Sequence, residues 1–273
     1  MTTTAGAFGE TLRTWRRHRR YSQLQLAAEA SVSQRHLSFL ERGRAKPSRE
    51  MVLHLAGVLD VPLRDRNSLL TSAGFAPVYE QRRLDGEGLA EISAVLQPVL
   101  EAHEPYPAIV MDRQWNLVLA NGSALRLTGA LLAPDGARPP GPVNLVRIGL
   151  HPDGLRTVTE NWREVAASVL RRLEHQLRER PTDGELLALY DEVTSYQGIA
   201  DLESPPTDLG VDDLVLAIHY KTEDVELRLF SMLATLGEPT DATVAELVLE
   251  SFYPMDEASR ALLQSWQDEQ TPS

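Results

Sequence analysis

The sequence predicts two domains of different class: an all-α head of five short helices, then an α+β domain built on an antiparallel sheet. Three observations carry this. Over the first eighty residues apolar positions recur at helical spacing, and serines stand where N-caps are needed. The charge then changes sign. Residues 1–83 hold 14 Lys and Arg against 7 Asp and Glu, a net of +7, and the remainder hold 13 against 32, a net of −19. Beyond residue 105, short apolar and partly β-branched runs alternate with turn residues. A chain of 273 residues suits two modest domains. The expected boundaries are 1–76 for the head, 77–88 for a linker and 89–273 for the second domain.

In the head, Phe8, Leu12 and Trp15 make 7–19 an amphipathic helix with its arginines outside. Ser22 starts a second helix. Its hydroxyl can accept from the Gln25 amide while the Gln25 side chain reaches back, a capping box, and Tyr21 with Leu26 forms a hydrophobic staple. This helix runs to about Ala30. Ser31 and Val32 form the turn, and Ser33 caps a third helix stapled by Val32 and Leu37. Leu37 and Leu40 face inward, which leaves Gln34, Arg35, Ser38, Phe39 and Arg42 outside. Gly43 ends this helix where a positive φ is usual. Ser48 caps a fourth helix bearing Val52, Leu55, Ala56 and Leu59. Pro62 precedes a fifth, over about 64–73, closed by Gly74.

Between residues 13 and 49, ten cations face two anions, Glu29 and Glu41, the footprint expected for a polyanion. Helix, short turn, helix, with polar side chains opening the second, is the geometry that enters the DNA major groove. The stretch from Ser22 to Arg44 carries S-Q-x-x-L-A, V-S and L-S-x-L-E-x-G-R in register, with Lys46, Pro47 and Ser48 following. It resembles the lambda-repressor/Cro-like (XRE-family) helix-turn-helix, and the likeness covers most of 8–73. The resemblance implies a phosphate contact for Gln23 and base-reading positions for Gln34, Arg35 and Phe39. Ser31 departs from the pattern, standing where the family usually has Gly; a non-glycine residue takes a left-handed backbone at some cost. In the groove Gln34 can pair bidentately with adenine and Arg35 with guanine. Phe39 either presses on a thymine methyl or packs on the protein's own surface. Arg42, Arg44 and Lys46, at the exit of the reading helix, suit phosphates. Arg16, Arg17, Arg19 and Arg20 either join them or only solvate their helix.

The second domain opens with a helix carrying Leu89, Ile92, Val95, Leu96 and Val99, broken by Pro105 and Pro107. Ala108–Met111 and Trp115–Leu119 read as a hairpin, and Asn121 as the cap of a short helix. The Pro- and Gly-rich run 131–142 reads as a loop. A long helix is expected over about 160–180, another near 184–196, then strands at Leu214–Tyr220, Val225–Ala234 and Val244–Phe252, and a terminal helix from Asp256. Two strands, a helical insert and three further strands form a sensor layout of the PAS-like kind. The runs H-E-P-Y-P-A-I-V-M-D-R-Q-W-N-L-V-L-A-N (103–121), L-H-P-D-G-L-R (150–156), L-G-E-P-T-D (236–241) and E-S-F-Y-P-M-D (250–256), together with Asn161 and Trp162, resemble the MmyB-like ligand-binding domain over about 90–270. The resemblance implies a PAS-like fold that accommodates fatty-acid-like ligands. Tyr106, Trp115, Asn121, His151 and Trp162 are candidate pocket residues. Each has an alternative role as core aromatic, helix cap or loop residue.

Other chemistries lack their residues. There are no cysteines. His103 and Glu104 begin like H-E-x-x-H, but Pro107 occupies the second histidine position. The seven histidines never form ligand-like pairs, and the two lysines, Lys46 and Lys221, offer no self-cleaving Ser–Lys dyad. No phosphate-cradling glycine motif precedes a helix. The expectation is a cytoplasmic, non-enzymatic regulator without cofactor or metal. It would bind a double-stranded DNA operator of inverted half-sites as a homodimer, and its second domain would sense a small, largely apolar or fatty-acid-like ligand. The alternative is a second domain that only dimerises or docks a protein. Because 1–74 reads as a complete module, the dimer contacts are expected within 90–273.

Overall fold

The computed structural model describes residues 4–132, 142–180, 183–202 and 215–269. It divides into two compact units: Met1–Arg83 with Gly237–Ala245, and Leu84–Leu236 with Glu246–Ser273.

The first unit contains α1 (Thr4–His18), α2 (Gln23–Glu29), α3 (Gln34–Glu41), α4 (Arg49–Val58) and α5 (Leu63–Ser72). Phe8, Leu12 and Trp15 from α1, Leu26 from α2, Leu37 and Leu40 from α3, Leu55 from α4 and Leu69 and Leu70 from α5 bury one another in a single cluster. The helix starts follow from the serines. Ser22 makes both halves of its capping box, Ser33 accepts from the His36 amide, and Ser48 accepts from the Met51 amide. Where α1 crosses α3 the backbones nearly touch: a Cβ on Gly9 would lie 2.6 Å from the carbonyl oxygens of Leu40 and Glu41.

The first part of the expected linker belongs to this unit. Asn67 of α5 donates to the Tyr79 carbonyl and accepts from the Val78 and Tyr79 amides. The segment Gly237–Ala245 completes the arrangement. Asp241, 3% exposed, accepts from the Arg82 amide at 3.2 Å and from the Arg82 guanidinium at 3.0 Å. The Ala242 amide donates to the Glu80 carbonyl. The Thr243 hydroxyl donates to the Arg82 carbonyl and accepts from Arg64 of α5.

The second unit opens with α6 (Gly86–Glu101), followed by strands β1 (Ala108–Met111) and β2 (Leu117–Ala120). Then come α7 (Gly122–Leu131), α8 (Leu145–Leu150), a 3-10 turn at Leu155–Val158, α9 (Trp162–Glu179) and α10 (Gly184–Thr194). Strands β3 (Ile218–Lys221), β4 (Glu226–Ala234) and β5 (Val248–Pro254) and helix α11 (Glu257–Asp268) close the chain. The strands form one antiparallel sheet in the order β2-β1-β5-β4-β3. Most of the 131–142 loop, and Leu214 at the expected start of the third strand, lie outside the described residues. The last strand starts later than the periodicity predicts. The Asp241 carboxylate accepts from the Thr243 and Val244 amides, and Val244–Glu246 coils into a 3-10 turn before β5 begins.

Residues opposite one another on paired strands share a face. The register pairs Ile109 with Glu250, Met111 with Val248, Ser231 with Phe252, Ile218 with Leu229 and Tyr220 with Leu227. This face is covered by two apolar clusters. In one, Met111 and Val248 meet Trp115, Val169 and Leu173; in the other, Leu227, Leu229 and Phe252 meet Leu127 and Leu131 of α7 and Leu263 of α11. Helix α9 is fixed at both ends. Asn161 donates to the Ala217 carbonyl and accepts from the His219 amide beside β3, and Gln176 accepts from the Trp115 indole beyond β1.

Candidate nucleic-acid interface and ligand site

In the head, α3 is presented by the turn that precedes it. Ser31 has φ +52°, its amide donates to the Ala28 carbonyl, and the Val32 amide donates to the Ala27 carbonyl. The left-handed conformation expected at this Gly-for-Ser position is the one adopted. Ser31→Gly should therefore stabilise the head by roughly 0.5–1 kcal/mol in chemical denaturation, since the left-handed penalty of a Cβ disappears. A lowered or unchanged midpoint would show that the turn is unstrained.

With Leu37 and Leu40 inside, Gln34 and Arg35 stand exposed in the first turn of α3. One turn on, Phe39 is half-buried, and the Arg35 guanidinium lies 5.4 Å from its ring centre. Arg42, Arg44 and Lys46 are exposed where the chain leaves α3. Gln23, at the start of α2, is half-buried, and its amide nitrogen donates to Glu41 at 2.7 Å.

The arginines of α1 and of the turn that follows it divide. Arg16 is buried and grips Glu41 through two bonds, from Nε at 2.5 Å and Nη2 at 3.1 Å. Arg13 donates to the Glu41 carbonyl, and Arg19 donates to the carbonyls of Leu59 and Asp60 at the end of α4. Only Arg17 and Arg20 of the four named from the sequence stay exposed without such a role among the described residues. Glu41 is 2% exposed. Burial alone would raise its carboxyl pKa, but the hydrogen bonds from Arg16 and Gln23 and the charges of Arg16 and Arg13 outweigh this and hold it below the usual carboxylate range. In the sequence Glu41 is one of two anions in a basic block and the glutamate of the L-S-x-L-E-x-G-R run, with no sign of its ion pair to Arg16.

In the second unit the five candidate pocket residues do not converge on one point. Tyr106 packs beside His103 and Tyr253 at the edge of one cluster. Trp115 is a buried member of the other and Trp162 packs against it, with Arg172 stacked over Trp115 at 4.3 Å and Arg156 over Trp162 at 3.8 Å. His151 ends α8, accepts from the Asp153 amide and meets Tyr196 edge-on. Asn121 is structural. It is 2% exposed, its oxygen accepts from the Ala108 and Ala124 amides, and its nitrogen donates to the Leu100 and Tyr106 carbonyls. That exhausts the polar capacity of an amide side chain.

Two polar clusters come from elsewhere, one buried against the sheet and one partly exposed. Glu250, on the middle strand, is 7% exposed and sits between Val248 and Phe252 on the covered face. Arg172 of α9 approaches it, with Nη1 3.7 Å from the carboxylate. A second cluster lies between α8 and α10. Arg147 bonds Glu192 bidentately, and the Tyr196 hydroxyl donates to the same carboxylate. Burial and that carboxylate push Tyr196 up to about 12. Neither cluster has a short sequence signal, because each pairs residues on separate elements.

A capped, outward-facing α3 with cations at its exit, carried ahead of an α+β domain, defines a DNA-binding helix-turn-helix regulator. A helix-turn-helix profile matches residues 12–65, and that of the MmyB-like transcription regulator ligand binding domain matches residues 92–265. The chain belongs to this MmyB-like family of XRE-type regulators. No curated protein matches it in sequence. No helix among the described residues is long and apolar enough to cross a membrane.

Proposed function

We propose that the protein is a cytoplasmic, non-enzymatic transcription regulator that binds inverted half-sites as a homodimer and responds to a small, largely apolar ligand. In the head, Gln34 and Arg35 read bases, Phe39 meets a thymine methyl, and Gln23, Arg42, Arg44 and Lys46 hold phosphates. The PAS-like layout of the second domain, two strands, a helical insert and three strands, supports a sensing role. One observation carries the ligand reading. Val169, Val248 and Phe252 belong to the apolar layers between the middle of the sheet and its covering helices, yet each is only half-buried. A fully packed core would seal them.

Thermal-shift screening of lipids and hydrophobic metabolites, with native mass spectrometry for the dimer and any co-purified ligand, tests this directly. Val169→Trp should leave a folded protein that binds DNA but no longer answers its effector. In a packed core the same change would cost about 1–3 kcal/mol or more. Loss of fold on Val169→Trp, with no compound raising the melting point, would refute the ligand reading.

A further inference from the structure

Helix α6 is apolar on both sides. Ile92, Leu96 and Leu100 bury its inner stripe. On its outer side Ala94, Val95, Pro98 and Val99 are all exposed, and residues 92–100 hold no charged side chain. No large apolar side chain among the described residues is more exposed than Val95, at 63%. The long helix α9 has the ordinary arrangement, with Arg163, Glu164, Arg171, His175 and Arg178 at exposed positions. A helix that is apolar all round belongs in an interior, so the outer side of α6 calls for a cover.

The apolar surface runs on from the helix to the sheet. Four residues past Val99, His103 lies edge-on to Tyr253 of β5 at 5.0 Å. Tyr253 in turn stacks on Phe230 of β4 at 5.3 Å. These two rings are opposite one another in the register and alternate with Phe252 and Leu229, so they lie on the face away from α7 and α11. Met232, two residues beyond Phe230 on the same side of the strand, is 58% exposed. Residues 229–237 again hold no charge.

We infer that this surface, α6 with the outer face of β4 and β5, docks a second copy of the chain, the two α6 helices crossing on a two-fold axis near Val95 and Pro98. This rests on the homodimer reading above. Charge selects the occupant. Residues 84–273 carry 32 Asp and Glu against 13 Lys and Arg, so two copies repel wherever their ordinary surfaces meet. They can close only where both sides are uncharged. A basic partner would face no such limit, and acidic side chains would match it better than their absence. A two-fold axis requires one patch to fit itself, and a patch without charge does so. The crossing of about 50° that is common between packed helices carries Glu91 and Glu101 of one copy away from those of the other.

The experiment is sedimentation velocity and native mass spectrometry of the full chain over a range of concentrations. The wild-type chain should dimerise, more tightly at higher salt, because salt screens the repulsion between the acidic surfaces. Val95→Glu and Val99→Glu should each weaken the dimer roughly hundredfold or more, since each sets two like charges in the seam. Leu125→Glu, at a position of α7 that is 61% exposed, should leave it intact. Val95→Glu mixed with Val95→Lys should restore a dimer that neither forms alone, because the two-fold axis sets position 95 beside its own copy. All three positions are exposed, so circular dichroism melts should show the fold unchanged. A wild-type dimer that survives both Val95→Glu and Val99→Glu, or that salt weakens, would overturn this surface and leave the homodimer reading standing. Failure of the mixed pair to restore the dimer would overturn the two-fold crossing. A wild-type chain that stays monomeric, both free and on a duplex it has selected from a random pool, would instead overturn the homodimer reading itself. The wild-type salt dependence is informative even if a variant fails to fold.

Discussion

Glu41→Ala should melt the head at temperatures where the wild-type chain keeps it folded. The substitution leaves the Arg16 guanidinium buried with no anion, and removing one partner of a buried pair costs about 3–5 kcal/mol. For a unit of this size that corresponds to a fall in melting temperature of roughly 15–30 °C. It also strips Gln23 of its acceptor at the start of α2. DNA binding should disappear with the fold, and low temperature or added operator should partly restore both. Glu41 also sets an acid limit. Its folded pKa lies below the unfolded value of about 4.3. Its contribution is therefore fully present above that value and is lost as the pH falls through the folded pKa. Glu41→Gln should remove this part of the acid sensitivity. Thermal melts by circular dichroism between pH 3 and 7 read both effects. A loss below about 1 kcal/mol in Glu41→Ala would mean that water replaces the pair at little cost.

Gln34→Ala and Arg35→Ala should each weaken specific binding by about 1–3 kcal/mol per half-site and flatten the base preference there. On a two-fold operator each substitution acts twice, so the loss for either approaches a factor of a hundred or more. Arg44→Ala should behave differently, weakening specific and random DNA alike. It should also reduce the slope of log affinity against log salt by roughly 0.9 for each phosphate contact removed. Selection from a random duplex pool, followed by salt titration of the winning site, separates the two kinds of contact. Unchanged sequence preference in Arg35→Ala would displace the register of α3 in the groove, and salt-independent affinity would remove the electrostatic component.

The helix-turn-helix is legible in the sequence because its signals are local. Serine caps and the Ser31 turn each act within four residues, and each is found in place. Its buried ion pair is not legible, since Arg16 and Glu41 look like members of a charge run until α1 and α3 cross. In the second domain the long amphipathic α9 and the β1–β2 hairpin follow from periodicity. Val244 does not, because a cap from Asp241 overrides an apolar strand pattern. Asn121 was recognisable as a helix cap, and its further bonds to Ala108, Leu100 and Tyr106 leave it no role toward a ligand. The centre of the sheet was the least visible part. A glutamate within an apolar strand signals a polar interior only when the facing helix is known to bring Arg172 to it.

The order of synthesis gives the split composition of the first unit a further meaning. Its five-helix core draws on residues up to Leu70, with Phe75 packed against it, so it can form early on a growing chain. Asp241, which binds Arg82, follows 159 residues later. At about 5–20 residues per second this is a delay of roughly 8–30 seconds. During that interval the nascent chain has a helix-turn-helix but lacks the piece that secures the stretch after α5. No single cut separates this unit from the rest, and any chimera that replaces the later sequence also takes away part of the earlier domain.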